Sequence, residues 1–165
     1  MDLSIIIVTW NNDATIADCL NSILENADYG VRSFIEIFVV DNDSTDRTVE
    51  EIQKVGAYGN TPLHLVKNLQ NLGFARATNQ GLQKAKGRYL LLLNPDTLLL
   101  DGTLEKMIEW MERRSDVGIL APQLLTPQRE VQRSCREFPS YGNFLWELTG
   151  IPRLFPHLSL WKMGT

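Results

Sequence analysis

Short aliphatic runs recur along this chain, each closing on a polar turn and each followed by a segment of helical period, and this alternation constrains the fold more than any other feature. Leu3 to Thr9 reads Leu-Ser-Ile-Ile-Ile-Val-Thr, a nearly unbroken β-branched stretch suited to a strand buried on both faces. Asp13 stands where it can cap a following helix, whose apolar face is Ile16, Cys19, Leu20, Ile23 and Leu24. The same pair of signals repeats. Phe34–Val40 predicts a second strand, Asp46–Val55 a helix with Val49, Ile52 and Val55 inward, and Leu63–Val66 a third strand. Phe74, Ala77, Thr78, Gly81, Leu82 and Ala85 then fall at helical spacing and give a small-residue face fit for close packing on a sheet. Tyr89–Leu93 predicts the fourth strand, Leu104, Met107, Ile108 and Met111 the next helix, and Val117–Ala121 a fifth strand. Strands and helices alternating across short connections predict an α/β fold, a mostly parallel sheet flanked by helices.

A chain of 165 residues with 44% apolar and 22% charged side chains can bury one ordinary core, which excludes a disordered or fibrous protein. Residues 1–127 carry 11 basic and 17 acidic side chains, and residues 128–165 carry 5 and 3. So acidic a body offers no continuous basic face for nucleic acid. Two cysteines, Cys19 and Cys135, are too few for a disulfide scaffold and lack metal-site spacing, which fits a reducing cytoplasm. No apolar run approaches the roughly 20 residues of a membrane span, and no basic segment precedes the first strand as in a signal peptide. We therefore divide the chain into a body, 1–127, and an aromatic-rich extension, 128–165. The extension contains Phe138, Tyr141, Phe144, Trp146 and Trp161 in no clear period.

In a parallel sheet, ligands gather beyond the carboxyl ends of the strands. Here those ends are polar: Thr9-Trp10-Asn11-Asn12, Asp41-Asn42-Asp43-Ser44, Lys67-Asn68 running on to Gln70-Asn71, and Asn94-Pro95-Asp96. Taken singly, each has a structural explanation. Asp41–Asp46 can be a turn leading to a helix cap, Trp10 can be core, and Asn11 and Asn12 can be turn formers. Asn71-Leu72-Gly73-Phe74-Ala75 can be a helix start or an anion site, and Asn79 can bond within its helix or reach a ligand. Asn94-Pro95-Asp96 can be a proline turn, or it can place a carboxylate for magnesium or manganese shared with a diphosphate. Four ends on one rim favour the ligand reading jointly. His64 and Arg88 fall at strand beginnings and carry no role. GxxxxGK[ST], GxGxxG after the first strand and GxSxG are all absent, which excludes P-loop, dinucleotide and α/β-hydrolase chemistry.

Four ordered segments, Ile6-Ile7-Val8-Thr9-Trp10-Asn11, Val39-Val40-Asp41-Asn42, Asn71-Leu72-Gly73-Phe74-Ala75 with Asn79 and Gly81, and Leu92-Leu93-Asn94-Pro95-Asp96, resemble the inverting family 2 glycosyltransferases, with the rhamnosyltransferase-like branch the nearest. The likeness runs from about residue 3 to 140 and includes Gln132-Arg133-Ser134 and Arg136-Glu137-Phe138-Pro139-Ser140. It implies a Rossmann-like GT-A fold in which Thr9, Trp10, Asn11, Asp41, Asn42, Asn71, Gly73, Phe74, Ala75, Asn79, Asn94 and Asp96 bind a nucleotide-diphosphate sugar. Asp96 would be the ligand of a divalent metal, Mg or Mn, and Asn94, standing where many relatives have the first Asp of a DxD motif, would touch ribose. The resemblance further implies transfer of a hexose, rhamnose among the candidates, from a dTDP- or UDP-linked donor to a glycan or lipid-linked acceptor of cell-surface polysaccharide. The setting would be cytoplasmic, with peripheral contact at the inner face of the membrane. Family members place the catalytic base in an acidic segment further along, and beyond Pro139 the one acidic residue is Glu147, in a setting that does not match. A truncated chain that binds donor without transferring sugar is the expectation. A non-catalytic nucleotide-sugar-binding or interaction module and a nucleotidyltransferase are the competing readings, the latter opposed by Trp10-Asn11-Asn12 where a Gly-rich loop would stand.

Overall fold

The computed structural model describes residues 3–29, 35–56 and 61–132. The elements run β1 (Leu3–Thr9), α1 (Ile16–Tyr29), β2 (Ile35–Asp41), α2 (Thr48–Gly56), β3 (Leu63–Lys67), α3 (Phe74–Leu82), β4 (Tyr89–Leu93) and α4 (Thr103–Arg113). The strands form one sheet in the order β3-β2-β1-β4, parallel at every pairing. The chain thus steps outward from β1 to β3 and then returns past β1 to lay β4 on the other side.

The β-branched runs of β1 and β2 occupy the centre, where both faces are covered. Leu3, Ile5, Ile7, Ile35, Ile37 and Val39 pack with Ile16, Cys19, Leu20 and Ile23 of α1, Ile52 and Val55 of α2 and Leu104 of α4 in one buried cluster. On the opposite face α3 lies against β1 and β2. Gly81 makes that approach possible: a Cβ there would stand 2.7 Å from Cγ2 of Ile6. At the sheet's edge, β4 alternates between half-buried and exposed positions, with Leu90 and Leu92 turned outward.

At the strands' amino ends Glu36, buried on β2, accepts the Ser4 hydroxyl at 2.6 Å and the Lys86 amide at 2.7 Å, and Ser4 Oγ accepts the Gly87 amide at 2.7 Å. A buried carboxylate is tolerable there because its donors are fixed by neighbouring backbone.

Two local expectations are corrected. Val117–Ala121 is not a strand: Gly118 interrupts it, the Val117 amide turns back to the Arg114 carbonyl, and Ile119 is 90% exposed. Asp13 does not cap α1, which begins only at Ile16; the Thr15 and Ile16 amides go to the Asn12 carbonyl, and the Asp13 carboxylate lies 3.6 Å from Arg47 Nε. The chain divides into two compact units, Met1–Leu120 and Ala121–Thr165. In the second, the described residues contain an antiparallel bridge between Leu125 and Val131. Cys135, Arg136–Ser140, Glu147 and the aromatic residues of the extension lie outside the described residues.

Candidate functional site

The reversal of strand order between β1 and β4 marks where an open parallel sheet leaves a crevice at its carboxyl edge. The ends of β1 and β4 flank that point. β2 adds Asp41, in register with Thr9 on one side and Lys67 on the other.

Most polar side chains on this rim hold the loops themselves. The Thr9 hydroxyl, fully buried, donates to Asn12 Oδ1 at 3.1 Å, and the same oxygen accepts the Trp10 amide at 3.0 Å. Asn11, at φ 54°, donates its amide to Ser44 Oγ and accepts the Thr45 amide on Oδ1, both at 2.9 Å. That left-handed backbone is one Asn tolerates better than most residues. The first two strand ends are thereby tied together, and Trp10 between them leaves 55% of its surface open, so it is not a core residue. Asp46 accepts the Thr48 amide at 3.0 Å and the Asp13 amide at 3.2 Å. Its slight desolvation is outweighed by the bonds from the Thr48 hydroxyl and amide, which hold its carboxyl below the usual range.

A second network is built of amides. Asn42, buried, donates to Asn71 Oδ1 at 2.7 Å and accepts from Asn68 at 3.1 Å and from the Leu72 amide at 3.0 Å. Asn71 Oδ1 also takes the Gly73 amide at 2.9 Å, and Asn68 and Gln80 exchange two bonds at 2.9 and 3.0 Å. Asn42 and Asn71 therefore shape the approach to α3. Gly73, at φ 79° and ψ 159°, occupies backbone space essentially reserved for glycine. Among the described residues no side chain caps α3, so its first amides point outward where an anion is favoured, beside exposed Phe74 and Ala75. Asn79 is exposed further along the same helix.

Asp41 behaves differently. Its carboxylate is 3% exposed; Oδ2 accepts the Ser44 amide at 3.2 Å, while Oδ1 is buried with no hydrogen-bond partner among the described residues. A buried acceptor left unpaired costs about 1–3 kcal/mol, more when charged, so such an atom at the carboxyl edge of a parallel sheet calls for an explanation.

Beyond β4, Asn94 and Asp96 are both exposed. The Asn94 carbonyl accepts the Thr97 amide at 3.2 Å and the Cys19 thiol at 3.6 Å. Burial pushes that thiol up to about 12, opposed by its hydrogen bond with the Thr97 backbone and reinforced by the charge of Asp96, so it stays a neutral donor. Among the described residues no three His, Cys, Asp or Glu side chains converge as a metal cage. A lone exposed carboxylate beside a crevice instead suits a hard cation that completes its shell with water and phosphate oxygens.

Sequence reasoning missed Ser44, Thr45, Thr48 and Gln80 as loop anchors, and also the polar positions Ser22 and Asn26 on the inner face of α1. The last two carry a sequence signal: with Cys19 they lie at i, i+3 and i+7, inside an otherwise apolar stripe.

Strand order, rim and the Asn-Pro-Asp turn together define an α/β domain of the GT-A glycosyltransferase class. Solved structures share the architecture. Staphylococcus aureus TarS 1–349 in complex with UDP-GlcNAc superposes with TM-score 0.63 at 25% identity, over 70% of this chain and 32% of that one. A mannosyltransferase from Pyrobaculum calidifontis, PcManGT, in complex with GDP-Man and Mn2+, gives 0.61 at 30% identity over 66% and 32%. The chain belongs to glycosyl transferase family 2, whose pattern it matches over residues 4–158. It is similar to the minor teichoic acid biosynthesis protein GgaB of Bacillus subtilis, 33% identical over 73% of this chain, and to the dolichol-phosphate mannosyltransferase of Pyrococcus furiosus, 30% identical over 72%. It spans 13% and 32% of those two proteins' own lengths. Among the described residues no helix is long and apolar enough to cross a membrane.

Proposed function

We propose that this chain is the donor-binding part of an inverting glycosyltransferase that moves a hexose from a dTDP- or UDP-linked donor to a glycan or lipid-linked acceptor in cell-surface polysaccharide synthesis. The single observation that carries the reading is Asp41 Oδ1, buried beside the crevice and without a partner among the described residues. A nucleotide base or ribose supplies the N–H or O–H donor that this oxygen lacks. Exposed Trp10 offers a stacking face for the base, and the uncapped start of α3 offers amides to phosphate. Support for the donor class comes from neighbours solved with UDP-GlcNAc and with GDP-Man, and for the acceptor class from the similarity to a teichoic acid biosynthesis protein. The rhamnosyltransferase-like branch rests on the four sequence segments alone.

Asp96, with Asn94 beside it, is the residue fitted to hold magnesium or manganese, which when bound neutralises charge developing on the departing diphosphate. The chain's own residues do the positioning: Asn11 and Asn12 lock the β1 end, and Asn42 and Asn71 lock the α3 approach. Reaction then needs an acceptor hydroxyl at the anomeric carbon and a carboxylate base to take its proton. Glu147, the acidic residue beyond Pro139, lies outside the described residues. The setting we assign is the cytoplasm, at the inner face of the membrane where a lipid-linked acceptor would sit.

Calorimetry with UDP, dTDP and GDP, each with and without Mn2+, tests the reading on wild type and Asp96→Ala. Metal-dependent nucleotide binding in wild type that falls in Asp96→Ala is the expected result. Absence of nucleotide binding in both conditions would instead favour a pure interaction module, and pyrophosphate release from a nucleoside triphosphate would favour a nucleotidyltransferase.

A further inference from the structure

The segment from Asn94 to α4 carries Asp96 but contributes little to its own support. Between the end of β4 and Thr103 its internal backbone bonds are the turn contacts from Thr97 to Asn94 and from Thr103 to Leu100, at 3.2 and 3.0 Å. Leu99 packs against the core cluster, and the segment's backbone is held by a polar stripe on the buried face of α1. The Cys19 thiol donates to the Asn94 carbonyl at 3.6 Å. Ser22 Oγ accepts the Leu99 amide at 3.0 Å. Asn26 donates to the Leu99 carbonyl at 3.5 Å and accepts the Thr103 amide at 3.2 Å. Spaced i, i+3 and i+7, the three side chains line one helix face. All three are buried, at 0%, 8% and 5% exposure.

Helix stability does not call for polar groups there. Ser22 and Asn26 also bond back to carbonyls of their own helix, to Cys19 at 2.8 Å and Ser22 at 3.0 Å, a habit that competes with helical geometry. Their remaining valence fits the backbone groups of a segment that has no strand or helix partner of its own. Leu98 and Leu100, on either side of Leu99, are 61% and 56% exposed, so apolar packing of those two side chains does not anchor it.

We propose that Cys19, Ser22 and Asn26 form a positioning seam that sets where the Asp96 carboxylate stands relative to the crevice, and thereby sets the metal-linked part of donor binding. This rests on the assignment of Asp96 above and extends it to residues that touch neither donor nor metal.

The experiment uses the full 165-residue chain with Ser22→Ala, Asn26→Leu, and the pair Cys19→Val and Cys19→Ser, each checked for a cooperative thermal transition. Two quantities are read: amide hydrogen exchange across residues 94–103, and UDP affinity with and without Mn2+. Ser22→Ala and Asn26→Leu should speed exchange of the Leu99 and Thr103 amides, and should cut the gain in UDP affinity on adding Mn2+ by about fivefold to tenfold. Metal-free UDP affinity should stay at the wild-type level because the Asp41 side of the rim is untouched. Cys19→Ser keeps a donor and should hold the metal gain, whereas Cys19→Val should lose it. Unchanged exchange, or an equal fall of UDP affinity with and without metal, overturns the seam. Should wild type and Asp96→Ala show the same metal response, the assignment of Asp96 fails and the proposal with it; a metal response lost in Asp96→Ala but intact in the seam variants overturns the seam alone.

Discussion

Replacing Asp41 by Asn separates binding from stability in a way few substitutions on this rim can. The side chain is almost fully buried, and among the described residues Oδ2 receives one backbone amide and Oδ1 receives nothing. In the free protein that orphan acceptor is a cost of about 1–3 kcal/mol. A carboxamide of the same shape can keep its oxygen toward the Ser44 amide and present an NH2 group where Oδ1 stood. The uncompensated carboxylate is then gone, and stability should hold or rise by about 1 kcal/mol, which for a domain of this size is a rise in Tm of roughly 2–4 °C. Binding moves the other way. A ligand donor that met the carboxylate now meets another donor, and a hydrogen bond to a charged group is worth about 1.5–3 kcal/mol, so nucleotide affinity should fall roughly 10- to 150-fold. Thermal melts and titration calorimetry with UDP and dTDP on Asp41→Asn read both quantities. Lower stability with unchanged affinity would refute the reasoning, because it would make Asp41 a structural group whose partners lie wholly within the fold.

Gly87→Ala should be among the most damaging single-methyl changes: its Cβ would lie 2.5 Å from the Ser4 amide nitrogen and 2.7 Å from the Leu3 carbonyl carbon, main-chain atoms of a central strand that cannot yield. A loss of about 3 kcal/mol in urea unfolding is expected. Cys19, raised from its ordinary 9.0 to about 12, should resist iodoacetamide at pH 8 in the native protein and react on unfolding, as peptide mapping would show. Because its folded value lies above the unfolded one, the thiol's contribution is fully present below about pH 9 and fades toward pH 12, so the stability gap between wild type and Cys19→Ala should narrow over that range. Asp46 has the opposite sign. Its folded carboxyl is depressed, so its support of α2 holds above the ordinary Asp range and is lost as pH falls through the lowered value; Asp46→Asn should flatten that acid limb of the melting profile.

Much of the fold was legible in the sequence because it is written in local periods. The bounds of β1 and β4 match the apolar runs residue for residue, and α3 follows its small-residue spacing. Val117–Ala121 misled because a short apolar run resembles a strand until one asks what it pairs with. The polar strand ends were equally visible, since a turn after a buried strand announces itself in Asp, Asn and Gly. Their division of labour was not. Thr9, Asn11, Asn42 and Asn71 are polar strand-end residues like Asp41, yet the first four spend their hydrogen bonds on neighbouring loops, while among the described residues Asp41 keeps one oxygen unpaired.

The sequence by itself determined that this chain alternates strand and helix, and that its polar residues collect on the carboxyl edge of a parallel sheet. Tertiary structure alone decided that β4 returns beside β1, which puts the crevice between Trp10 and the Asp96 turn, and that α1 carries the groups holding that turn in place. The physical reason is range. Periodicity and turn chemistry act over a few residues of backbone, whereas a side chain's hydrogen-bond partner depends on which distant segment packing brings within about 3 Å of it.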